Sequence, residues 1–175
     1  MRDNGVALPP VCRRYDIAEE SLSPVDRIIL TSDGTVMRTL EALTRKRIVV
    51  NIRKRTVEDD VLARKIVLHS PDEEDFPLAW AESWVYLSRL NPEYARGLRN
   101  GSIGIGELVR NNRLETFREI NEIDDQVPPE ETPTFVETDT PVMQRTYDIY
   151  CQDKQAITIT EYFRRGLKAF AEIDR

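Results

Sequence analysis

The spacing of apolar and polar positions changes period several times along this chain, and each change marks an element. From Ser21 onward Val25, Ile28 and Ile29 recur at helical spacing, behind Ser23 as a cap and Pro24 at the first helical position. Thr31-Ser32-Asp33-Gly34 breaks that helix. A second helix is predicted over residues 35–44, with Val36, Leu40 and Leu43 on one side. The period then drops to two. Strands are predicted over 47–54 and 61–69, joined by the charged turn Glu58-Asp59-Asp60, and over 77–90 beyond an acidic loop. Short helices at 92–98, closed by Asn100-Gly101, and at 105–111 lead to a strand over 114–123. A Pro-, Glu- and Thr-rich loop follows at 124–141. The last strands, 142–151 and 156–163, turn around Gln152-Asp153-Lys154-Gln155, and a helix at 166–172 closes the chain.

Strands joined by short turns pair antiparallel, and helices grouped outside them give an α+β domain. The expected layout is an irregular N-terminal segment over 1–20 and one domain over 21–175. A chain of 175 residues is large enough for one domain with a proper core and too small for two ordinary ones. With a net charge of -6 it lacks a global basic footprint, so no nucleic-acid partner is expected. No stretch approaches the roughly 18 to 20 apolar residues of a membrane span, and the first 20 residues do not read as a secretory signal. The expectation is a cytoplasmic protein with Cys12 and Cys151 as free thiols. Its single histidine, His69, cannot build a multi-histidine metal site. No phosphate-loop or dinucleotide-type glycine spacing occurs either, so a nucleotide-binding reading is weak.

Candidate chemistry comes from charges that interrupt apolar strand faces. Residues two apart share a face. Leu62, Arg64, Ile66 and Leu68 form one such set, and Ile157, Ile159, Glu161 and Phe163 another. Glu82 lies among Leu78, Trp80, Trp84 and Tyr86, and Arg145 among Met143, Tyr147 and Ile149. An ion buried among apolar groups costs several kcal/mol unless a partner compensates it. Two readings stand: the four charges pair as buried salt bridges, or together they line a polar site that suits a small anionic ligand.

At these residues the sequence resembles the chorismate lyases, in particular their archaeal and cyanobacterial branch. The segment Val61-Leu62-Ala63-Arg64-Lys65-Ile66-Val67-Leu68 is similar to the family's arginine-bearing strand, and Ala81-Glu82-Ser83-Trp84 to its "AESW" strand. Leu98, Gly101 and Ile105-Gly106-Glu107-Leu108 resemble a helix start of the family, and Ile157 to Phe163 the closing strand that carries its glutamate. The likeness runs from about Ile29 to Phe163.

The resemblance implies a six-stranded antiparallel sheet with helices on one side, and an enzyme that removes pyruvate from chorismate to leave 4-hydroxybenzoate without a cofactor. It implies that Arg64 binds the ring carboxylate and Glu161 meets the ring hydroxyl. Backbone N–H groups at Ile105 and Gly106, and near Thr35, would add to the carboxylate site. Glu82 stands where the ubiquinone-pathway enzyme has an arginine, so Arg145 is the expected receiver of the enolpyruvyl carboxylate. Gly104 replaces a family proline. The implied partners are the anionic substrate and the aromatic product, and the chain would be a monomer or homodimer.

The rival reading is a ligand-binding module without catalysis, since the effector domains of a family of transcription regulators share this fold. The residues ahead of Ile29 are fewer than the roughly 50 of a folded DNA-binding domain, which weighs against a regulator.

Overall fold

The computed structural model describes residues 12–17, 21–74, 76–101, 105–106, 108, 116–126 and 142–165. Three α-helices occur among them: α1 (Pro24–Thr31), α2 (Val36–Thr44) and α3 (Pro92–Asn100). The strands are β1 (Cys12–Asp16), β2 (Val49–Glu58), β3 (Val61–His69), β4 (Ala79–Tyr86), β5 (Thr116–Gln126), β6 (Val142–Cys151) and β7 (Lys154–Phe163). They form one sheet in the order β1-β5-β6-β7-β4-β3-β2.

Local chemistry accounts for the element ends. Ser23 and Asp26 form a reciprocal capping box ahead of α1, with Pro24 at its start. α3 begins at Pro92 behind Asn91, whose side chain accepts from the Glu93 N–H, and ends on Gly101 in the left-handed region at φ 75. The β6–β7 hairpin turns through Gln152 and Asp153, both at positive φ, as a two-residue turn that matches the strand twist requires.

The pairings from β2 to β7 are all antiparallel, so the expected α+β class and six-stranded antiparallel sheet are present. A seventh strand extends it. Cys12–Asp16, placed by the sequence in an irregular segment, pairs parallel with β5. Of the helix expected at 105–111, Ile105, Gly106 and Leu108 are described and helical; the expected 166–172 helix and the 127–141 part of the long loop lie outside the described residues. No described helix is long and apolar enough to cross a membrane.

The main core lies between one face of the sheet and the helices. Ile29 and Leu30 of α1, Leu40 of α2 and Leu98 of α3 cluster with inward strand residues such as Leu62, Val85 and Ile157. On the opposite face Val67, Trp80, Val142 and Tyr162 form a separate apolar cluster. His69 is buried, with Nδ1 2.8 Å from the Ser70 carbonyl.

Candidate active site

The inward face does not fill completely. Between it and the helix layer lies a cavity of about 370 Å³, a volume that suits a small-molecule ligand. Its floor is made of small and aliphatic side chains: Ala81 and Ser83 of β4, Ile66 and Leu68 of β3, and Ile149 and Ile159 of β6 and β7. Ala81 and Ser83 sit at its middle, where larger side chains would occupy the space. Thr35, Val36 and Met37 at the start of α2, with Ile105 and Gly106, close it from the helix side.

Arg64 reaches the cavity from β3. It is 5% exposed, and its Nε and Nη1 are buried with no hydrogen-bond partner among the described residues. Burial, and then the neighbouring Arg55 guanidinium, holds its pKa below the ordinary arginine value. Arg55 stands directly across the β2–β3 ladder and lies against Gly101, itself on the cavity wall. A buried guanidinium with empty donors, in the field of a second cation, makes a site that favours a carboxylate.

Glu161 lines the cavity from β7, two strands away from Arg64 in the sheet order. Both its oxygens are held. Arg145 Nε donates to Oε2 at 2.7 Å, and the Tyr147 hydroxyl donates to Oε1 at 3.1 Å. Burial and then the Glu161 charge push the Tyr147 pKa upward, so this tyrosine keeps its proton and remains a donor.

The other expected site residues divide. Thr35, Ile105 and Gly106 line the cavity together with Arg64 and Glu161. Thr35 is the N-cap of α2, and its side chain makes no capping bond to the first-turn amides at the cavity wall. A Cβ added at Gly106 would lie 3.2 Å from Thr35 Cγ2, which shows how closely these two segments approach.

Arg145 and Glu82 stand elsewhere. The Arg145 guanidinium is 1% exposed and is used up beneath the cavity: besides Glu161 it donates through Nη1 to the carbonyls of Ile29 at 2.6 Å and Ser32 at 2.7 Å. Burial lowers its pKa, but Glu161 and Tyr147 more than offset this and the net shift is upward. It ties the end of α1 to Glu161 and is not on the cavity wall. Glu82 points to the opposite face of the sheet, where it pairs with Lys65 at 3.1 Å.

Arg118 of β5 also lines the cavity and was not singled out from sequence. Its guanidinium lies 5.0 Å from the centre of the Tyr147 ring, and Nη1 donates to the Gly34 carbonyl. Among the described residues, Arg64 and Arg118 are the cations on the cavity wall. The arrangement is a largely apolar, partly open slot with cationic side chains on β3 and β5 and a held carboxylate on β7, between them in the sheet order.

A sequence profile of the Rv2949c-like chorismate pyruvate-lyases matches residues 30–171. The chain belongs to this family. A curated protein of Methanocaldococcus jannaschii, named "Putative lyase MJ0807", is 29% identical, with 79% of this chain and 77% of that protein covered. Among solved structures, PhnF from Mycobacterium smegmatis superposes with a TM-score of 0.56 at 14% identity, over 78% of this chain and 65% of that one. The chain thus spans about two thirds of PhnF. The C-terminal domain of the histidine utilization repressor from Pseudomonas syringae pv. tomato superposes with a TM-score of 0.53 at 9% identity, over 69% of this chain and 92% of that domain. At these identities the structural likeness shows the fold alone.

Proposed function

We propose that this member of the lyase family converts chorismate to 4-hydroxybenzoate and pyruvate. The observation that carries the reading is Arg64: a buried guanidinium with two empty donors on a small cavity, facing a fixed carboxylate across the sheet. Empty buried donors cost free energy in the unliganded protein, so they persist where a ligand satisfies them.

Chorismate has a ring carboxylate, a hydroxyl para to it and an enolpyruvyl ether beside the hydroxyl. The carboxylate fits Arg64, supported by backbone N–H groups near Ile105, Gly106 and Thr35. The hydroxyl fits Glu161, which accepts its hydrogen bond while Arg145 and Tyr147 keep the carboxylate in place. The reaction breaks the carbon–oxygen bond to the enolpyruvyl group and removes the hydrogen from the hydroxyl-bearing ring carbon. That proton ends on the enolpyruvate methylene, which becomes the pyruvate methyl. Aromatisation drives the step, so the protein has to hold a reactive conformer and exclude alternatives, and no redox group is required. Glu161 is suitably placed to orient the hydroxyl and to guide that proton.

Purified protein mixed with chorismate and a chelator should give 4-hydroxybenzoate by chromatography. Saturable binding of 4-hydroxybenzoate without turnover would replace the lyase by a binding module on the same cavity.

A further inference from the structure

We infer that Arg118 is the receiver of the substrate's second carboxylate, so that the site is built for a ring bearing two separated carboxylates. The inference rests on the lyase reading for the pose of the ring. In chorismate the enolpyruvyl ether is attached next to the hydroxyl-bearing carbon. With the ring carboxylate on Arg64 and the hydroxyl at Glu161, the second carboxylate lies at the Glu161 end of the slot.

Arg118 is the cation at that end. In the sheet order β5 is four strands from β3, on the order of 19 Å between strand axes, with β7 and Glu161 between them. The Arg118 guanidinium lies over the Tyr147 ring, and the hydroxyl of that ring bonds Glu161. Arg118 therefore stands one aromatic ring away from the carboxylate that meets the substrate hydroxyl. Among the described residues it meets that ring and the Gly34 carbonyl, and neither neutralises its charge. Arg145 cannot take the role, because Glu161 and the α1 carbonyls occupy its guanidinium. Glu82 is on the other face, paired with Lys65.

Arg118 also braces Gly34, the residue before the α2 N-cap, so its test needs a readout that bracing alone would not move. Two unreactive ligands supply it: 4-hydroxybenzoate, and 3-(carboxymethoxy)-4-hydroxybenzoate, which adds an ether-linked carboxylate beside the hydroxyl. Wild type should bind the dicarboxylate at least about tenfold more tightly, the worth of one charged hydrogen bond. In R118Q that preference should fall to about one while 4-hydroxybenzoate affinity stays within about twofold, and R118K should recover part of it. Equal loss of both ligands in R118Q, an unchanged preference, or no preference in wild type would overturn the assignment. Chorismate turnover by wild type is scored separately: turnover without the Arg118 effect removes this inference alone, and the Arg118 effect without turnover removes the lyase reading alone.

Discussion

Arg145 and Glu161 face each other across adjacent strands and are joined by a 2.7 Å hydrogen bond, with side chains 1% and 5% exposed. The pair fixes the one acidic group described on the cavity wall and ties it to the end of α1. Removing one partner leaves the other charged and buried. Arg145→Met should therefore lower folding stability by about 3–5 kcal/mol, read from the urea midpoint. The double variant Arg145→Met, Glu161→Leu should recover much of that loss, because two apolar groups replace the pair. A single variant within about 0.5 kcal/mol of wild type would contradict the buried-pair account.

Arg64 should behave in the opposite way. It holds buried donors with no partner among the described residues, so the unliganded protein bears their desolvation. Arg64→Met should raise the stability of the empty protein by about 1–3 kcal/mol, and should abolish the rise in melting temperature that 4-hydroxybenzoate gives to wild type. A thermal-shift titration reads both effects. Loss of stability in the empty variant would show that Arg64 is satisfied in the fold.

Tyr147 carries a pH prediction. Its folded-state pKa is raised above the ordinary tyrosine value of 10.0, chiefly by burial and then by Glu161. A raised folded value means that the stability held in this proton is whole below pH 10 and is lost as pH rises through the folded pKa. Tyr147 should thus stay protonated where ordinary tyrosines ionise. In an alkaline titration followed by tyrosinate absorbance, Tyr147→Phe should leave the amplitude near pH 10 unchanged. A reduced amplitude there would place Tyr147 among the freely titrating tyrosines.

Gly101 ends α3 at φ 75, and a Cβ there would run into Arg55 Nη1. Gly101→Ala should cost about 1–2 kcal/mol from the left-handed backbone, and it should displace the Arg55 guanidinium from its place beside Arg64. Ligand affinity should fall along with stability. Isothermal titration with 4-hydroxybenzoate checks this, and unchanged affinity would show that Arg55 adds nothing to the carboxylate site.

Parts of this architecture are legible in the sequence because the signal is local. Ser23-Pro24 announces α1, and β3 occupies 61–69 as expected, since its alternation is clean and a two-residue turn precedes it. The same alternation turns Arg64 inward with Leu62, Ile66 and Leu68, and Glu161 inward with Ile159 and Phe163. β4 misleads because both its faces are apolar. Trp80 and Trp84 suggest the core side, yet a cavity floor needs small residues, and Ala81 and Ser83 supply them; Glu82 goes outward with the tryptophans. Arg145 does point inward, but its attachment to Glu161 and to carbonyls more than a hundred residues earlier is set by tertiary register. Arg118 is hidden by an irregularity in β5 between Ile120 and Glu122, which shifts the phase of alternation along that strand. β1 pairs in parallel with a strand distant in sequence, and its five residues carry no turn or periodic signal of that partner.

The account is tested most directly by the initial rate of pyruvate release from chorismate, measured side by side for wild type and Arg64→Ala. The prediction is steady release by wild type with an equal amount of 4-hydroxybenzoate, and a rate for Arg64→Ala no faster than spontaneous decay. Equal rates in the two proteins, or none above spontaneous decay in wild type, would contradict it.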